Sequence, residues 1–187
     1  MLSVIIPTRD SERALVRTLA PLVAGATAGL VSEVIVADGG SRDDTAVVAD
    51  VAGCNFMAVE GPLGLRLKTA AEAARAPWLL FLRPGTVLDT LWTEEARRFV
   101  DQPLPGRAAA VFRRSASVQS ALREVLSLAT VALGARPRPE QGLLISRPFY
   151  DALGGHAGGA ADPEADFVRR LGRRRVARLS TNAFYAP

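Results

Sequence analysis

Asp38 has the setting that most suggests chemistry. It follows the apolar run Glu33–Ala37 and precedes Gly39-Gly40-Ser41. A carboxylate at a strand end, beside two glycines that let a ligand approach the backbone, accepts hydrogen bonds from a base or a sugar. An Asp at such a turn also caps the helix that follows, and the pattern alone leaves both uses open. Two more turns are built alike: Pro7-Thr8-Arg9-Asp10 after Leu2–Pro7, and Arg83-Pro84-Gly85-Thr86 after Trp78–Leu82. His156 lies in the Gly-rich stretch Gly154–Ala161, where it either contacts substrate or packs. Cys54 has no partner and reads as a small hydrophobe.

These turns need strands and helices to hold them. Leu2–Pro7, Glu33–Ala37, Asn55–Val59 and Trp78–Leu82 read as strands. Between them come a helix after Asp10 and Ser11, both N-cap types, with Leu15, Thr18, Leu19 and Leu22 at helical spacing. A second helix opens at Asp43-Asp44-Thr45 and runs to Ala52, and a third spans Gly64–Arg75. Alternation of this kind predicts an α/β fold of three layers, a mostly parallel sheet flanked by helices. Ligands in such folds bind at the carboxyl ends of the strands, where strand order reverses. Further on, helices are expected at Leu91–Val100, Ser115–Leu133, Pro148–Leu153 and Glu164–Leu171. Strands are expected at Ala108–Arg113, Gly142–Ser146 and Val176–Leu179. The Gly-rich stretch 154–161 is expected to be a mobile loop. No linker separates two units, so residues 1–187 read as one domain, with a ligand-binding half, 1–88, and a second half, 89–187.

Composition narrows the function classes. With 49% hydrophobic residues the chain can build a core, so disorder is excluded. One Cys and one His exclude a disulfide framework, a Cys-based zinc site and a multi-His metal centre. No apolar run reaches the roughly 20 residues that span a bilayer. The start lacks signal-peptide features, so a cytoplasmic protein, soluble or peripheral on the inner face of the membrane, is the expectation. Residues 1–93 carry 8 basic against 10 acidic residues and residues 94–187 carry 15 against 9, net −2 and +6. The basic cluster Arg169-Arg170 and Arg173–Arg175 lacks interleaved aromatics, which argues against nucleic acid as partner.

The order of these segments resembles the family-2-like glycosyltransferases, with the nucleotide-diphospho-sugar transferase fold called GT-A. The resemblance rests on SVIIPTRDSERALVRTLAPL, EVIVADGGSRDDT, AAEAARAPWLLFL, EQGLLISRPFYDALGG and ADFVRRLGRRRVARLS. It implies that Pro7, Thr8, Asp10, Asp38 and Gly39 line a nucleotide pocket, Asp38 accepting from the base. It sets Arg66 and Lys68 on the helix that faces ribose and pyrophosphate. Glu164 stands where the family's Glu-Asp pair places the base that deprotonates the acceptor hydroxyl. Asp162 and Asp166 are neighbours able to substitute, although Asp166 is also spaced to pair with Arg169 or Arg170. His156 and Trp92 lie toward the acceptor side, with packing the other reading of each. The implied partners are a nucleotide-diphosphate sugar and a glycan or lipid acceptor, the latter compatible with peripheral membrane contact through the amphipathic Ser115–Leu133 segment.

Two departures bear on mechanism. The family's Asp-x-Asp turn, which holds Mn²⁺ or Mg²⁺ against the diphosphate, is here Arg83-Pro84-Gly85, without oxygen ligands for a hard cation. The Glu-Asp pair becomes Pro163-Glu164. Arg83 then has three readings. It replaces the metal as a fixed cation on the leaving group, it belongs to a relative that binds without turnover, or it is part of a solvated tight turn.

Overall fold

The computed structural model describes residues 1–102, 106–114 and 137–186. The helix expected at Ser115–Leu133 lies outside them. Eight strands form one sheet in the order β3-β2-β1-β4-β7-β6-β8-β5. They are β1 Leu2–Thr8, β2 Val31–Asp38, β3 Asn55–Ala58, β4 Trp78–Phe81, β5 Thr86–Leu88, β6 Ala109–Arg114, β7 Leu143–Ser146 and β8 Val176–Tyr185. Helices α1 Glu12–Thr27, α2 Thr45–Val51, α3 Leu63–Ala73, α4 Trp92–Asp101, α5 Arg147–Ala152 and α6 Pro163–Leu171 cover it.

The first four strands in space, β3-β2-β1-β4, are parallel, as the sequence predicts. Beyond β4 the sheet is mixed, because β7 runs antiparallel to both β4 and β6. The short β5, which the sequence reading missed, pairs with an extended β8. β1 lies between β2 and β4, so the chain reverses its direction of travel across the sheet there. That reversal opens the crevice at the carboxyl ends of β1 and β4.

The strand pleat sorts side chains onto two cores. Leu2, Val4 and Ile6 of β1 pack with Leu15 and Leu22 of α1 and with Trp92 and Phe99 of α4. Ile5 faces the other way, onto Leu67 of α3, Tyr150 of α5 and Phe167 of α6. Trp92 is wholly buried and donates through Nε1 to Pro21 O at 3.0 Å, so it packs and does not face a sugar. Pro7 is tolerated inside β1 because β4 pairing stops at Ile5↔Phe81. Its ring nitrogen turns to that same side, beyond the last ladder bond.

The Gly-rich stretch after α5 is docked, contrary to the expected mobile loop. His156 is buried within it, and Gly64 on α3 lies so close to Ala157 O that a Cβ there would collide with it. Backbone approaches backbone at that point, and only glycine permits it.

Candidate active site

Two clusters stand at the carboxyl edge of the parallel strands. The first joins the turns after β1 and β2. The Asp38 Oδ1 atom accepts from Thr8 Oγ1 at 2.7 Å and Ser41 Oγ at 2.5 Å. Its Oδ2 accepts from the amides of Gly40 and Ser41, both at 2.8 Å. Burial draws the Asp38 pKa up, and these bonds from Ser41, Thr8 and Gly40 outweigh it, holding the carboxyl below its usual range. Asp38 therefore organises its own turn, one of the two uses that the sequence leaves open for it. The reason is local: Ser41 closes an Asx-type turn on it, and glycine at 39 and 40 lets the backbone fold back.

Asp10, at φ 48°, accepts from the Arg42 amide at 2.7 Å, and its own amide donates to Ser41 Oγ at 2.8 Å. It ties the two turns together. The amides of Glu12 and Ser11 donate to Asp43 Oδ2 and Thr45 Oγ1, so the second turn caps α1 from outside. Ser11 stands at the N-cap position, but its hydroxyl is engaged with Arg9 and supplies no cap. Arg66 reaches in from α3 and donates through Nη1 to Thr8 O and Ala37 O. Lys68, two residues on, is exposed on another side of the helix, so the two cations are not brought together.

The second cluster lies beyond β4. Arg83 donates from Nε at 2.8 Å and from Nη2 at 2.5 Å to the same oxygen, Oε2 of Glu164. Its Nη1 lies 3.4 Å from Oε1 of Glu140. Sequence reasoning missed Glu140. The pairing Phe81↔Leu143 shows why it arrives there: β7 runs back along β4, so residues just before β7 stand beside those just after β4. Arg83-Pro84-Gly85-Thr86 does form the tight turn, with the Thr86 amide donating to Arg83 O at 3.0 Å and Gly85 at φ 89°, but the Arg83 guanidinium is half-buried and paired, not solvated. Burial opposes the Arg83 charge, and Glu164 with Glu140 more than offsets it, raising its pKa. Burial pushes the Glu164 carboxyl up and Arg83 pulls it down, with Asp162 and Glu140 adding to the rise; the net direction is upward.

The site does not fit the divalent cation that the resemblance implies. No group of three or more His, Cys, Asp or Glu residues among those described is arranged to hold a metal. The two carboxylates nearest the β4 turn already share a guanidinium, and a second cation against Arg83 would be repelled.

Other candidates prove structural. Asp162 caps α6, accepting from the Ala165 amide at 2.9 Å. Asp166 pairs with both Arg169 and Arg170. Arg170 also donates to Leu153 O and Gly155 O and lies over the Phe167 ring, so it is spent on packing. His156 is wedged between Phe81 and Phe167. Its amide donates to Tyr150 Oη at 3.1 Å, and Tyr150 Oη lies 2.9 Å from Nδ1. Burial depresses the His156 pKa to about 3, with Arg170 adding to the effect and Asp166 opposing it. It is a core histidine, the packing use of the two that the sequence leaves open, because the loop folds it inward.

Comparison with known proteins agrees with this architecture. Residues 3–103 match the family described as Glycosyl transferase family 2. No protein of curated function matches the sequence significantly. Among solved structures, the chain is similar to glucosyl-3-phosphoglycerate synthase from Mycobacterium tuberculosis in several complexes. The complex with Mg²⁺ and UDP superposes with a TM-score of 0.75 at 19% identity, covering 100% of this chain and 72% of that one. The complex with Mn²⁺ and UDP-glucose gives 0.72 at 19% identity, over 100% and 71%. The complex with Mn²⁺, UDP and glucosyl-3-phosphoglycerate gives 0.73 at 19% identity, over 100% and 72%. These matches establish the GT-A fold.

Proposed function

The chain belongs to glycosyl transferase family 2, and we propose that it moves a sugar from a nucleotide-diphosphate donor to an acceptor hydroxyl with inversion and without a divalent metal. One observation carries this reading: the fixed cation Arg83 sits on the acid Glu164 at the end of β4, beside the switch point. In the transfer, Glu164 takes the proton of the acceptor hydroxyl. The hydroxyl oxygen bonds to the anomeric carbon on the face opposite the diphosphate, and the bond from that carbon to the phosphate oxygen breaks. The diphosphate leaves with the electron pair, and Arg83 balances its charge. Because the guanidinium rests on Glu164, an arriving diphosphate draws it away and leaves the carboxylate unpaired. A buried carboxylate with a raised pKa is a better base than an ordinary one. That a structural relative was solved with UDP-glucose supports a sugar nucleotide as donor. The acceptor is a glycan or a lipid, and a lipid acceptor would bring the domain to the cytoplasmic face of a membrane.

A second reading is a relative that binds a nucleotide or glycan without turnover, favoured by the pairing of the candidate base Glu164 with Arg83. Donor hydrolysis and transfer across a panel of nucleotide sugars, with and without EDTA, separates the two. EDTA-resistant turnover that is lost in Arg83→Met supports the proposal. Turnover that requires Mn²⁺ or Mg²⁺ refutes it, and nucleotide binding without turnover leaves the second reading.

A further inference from the structure

Thr18 takes a core position of α1 without being apolar. It lies on the buried stripe with Leu15 and Leu22 and is wholly buried, a place where Val would fill the same volume with no polar atom to satisfy. Its hydroxyl donates to Ala14 O at 3.1 Å, one turn back in the helix, which leaves the oxygen lone pairs free to accept. Thr18 Oγ1 accepts from the Gly85 amide at 2.8 Å, and the same amide donates to Ala14 O at 3.0 Å. Gly85 belongs to the turn that carries Arg83. On its other side, Gly85 O accepts from the Ala186 amide at 3.0 Å, just past β8, and Ala186 O accepts from Arg17 Nη1 of α1 at 3.4 Å. Helix, turn and the end of β8 therefore close a ring of hydrogen bonds around Gly85.

Arg83 stands two residues before this anchor, and the ring of Pro84 between them fixes its own φ, so little slack separates the Arg83 backbone from Gly85. In the resting site Glu164 also holds the guanidinium, through the bonds from Nε and Nη2. A diphosphate that draws the guanidinium away removes that second hold. The bonds on Gly85 stay in place, since none of them involves the Arg83 side chain. From this we infer that Thr18, together with the Ala186 amide, positions Arg83 and fixes where the cation meets the diphosphate. Thr18 touches neither donor nor acceptor and acts through the turn. Misplacement by about 1 Å is costly at such a contact. The inference rests on the diphosphate-binding role proposed above for Arg83 and goes beyond it.

Calorimetric titration of the full chain tests it, with whichever of UDP, GDP, CDP and ADP binds best and with the matching monophosphate. Arg83→Met should narrow the diphosphate-to-monophosphate affinity ratio roughly 10- to 100-fold, the range of a charge-assisted contact to a phosphate. Thr18→Val keeps the shape of the side chain and removes the hydroxyl, and Ala186→Pro removes the amide hydrogen. Each should narrow the ratio about 3- to 10-fold with the monophosphate affinity unchanged, and Thr18→Ser should restore it. In the Arg83→Met background Thr18→Val should have no further effect on the ratio, because the group it positions is gone. Thermal melting verifies that the variants fold. A ratio unchanged in either single variant, equal weakening of both nucleotides, or additive losses in the double variant would each overturn the inference and leave Arg83 as the diphosphate cation. A ratio unchanged in Arg83→Met, or failure of every nucleotide to bind, removes the donor reading and the inference with it.

Discussion

Glu164 receives two hydrogen bonds from Arg83 on a single oxygen, although the residues lie 81 positions apart in the chain. One comes from the first turn of α6 and the other from the end of β4, so the contact ties the second half of the sheet to the first. None of the hydrogen bonds described uses Glu164 Oε1. The arrangement keeps a cation and a base in contact until a competing anion separates them.

Removing either partner strands the other in a poorly solvated place. Arg83→Met or Glu164→Gln should each cost about 2–3 kcal/mol, below the figure for wholly buried pairs because the Arg83 side chain keeps 28% exposure. The double variant should lose less than the sum of the two, with a coupling of about 1–3 kcal/mol. Urea unfolding of the four proteins measures the cycle. Additive losses would mean that the ion pair contributes nothing to the fold.

The lone histidine carries a separate prediction. His156 has a folded pKa of about 3 against 6.5 for the free group. Between those values the unfolded chain binds a proton that the folded chain refuses, so stability rises with pH across this window. The contribution is complete above pH 6.5 and is lost progressively as the pH falls toward 3. His156→Phe should flatten this part of the curve. Between pH 7 and pH 5 the wild type should lose about 1–2 kcal/mol more than the variant, read from urea midpoints. Parallel curves for the two proteins would show that the ring is not held neutral.

Much of this was legible in the sequence, and the gaps have physical causes. Strand identity in the first half follows from short β-branched runs closed by Pro, Gly or Asp, and those elements fall within a few residues of expectation. β5 escaped notice because three residues carry no period, and its pairing with β8 is fixed by a distant partner. Asp38 is visible as a special residue, but its acceptor capacity is decided by Ser41 and Thr8, which a linear pattern does not rank. Arg83 lies in a turn that the strand pattern already marks, Glu164 stands out only through the resemblance, and their contact joins residues 81 positions apart. Glu140 arrives by the register of β7 on β4; it opens the segment EQGLLISRPFYDALGG, but nothing in that segment singles it out as a partner of Arg83.

The replacement of an acidic turn by Arg83 can be tested by reversing it. Arg83→Asp would gather three carboxylates, with Glu140 and Glu164, at the end of β4, where one guanidinium now neutralises two. In EDTA that variant should melt well below the wild type, since like charges at close range repel and have lost their counter-ion. A hard cation accepts oxygen ligands of this type. Millimolar Mn²⁺ should therefore raise the melting temperature of Arg83→Asp by several degrees, as stabilisation by a ligand bound only to the folded state requires. The wild type should not respond, because its carboxylates are held by a cation that cannot dissociate. A shift of equal size in the wild type would place a divalent ion in this cleft alongside the arginine, and the metal-free mechanism would fall.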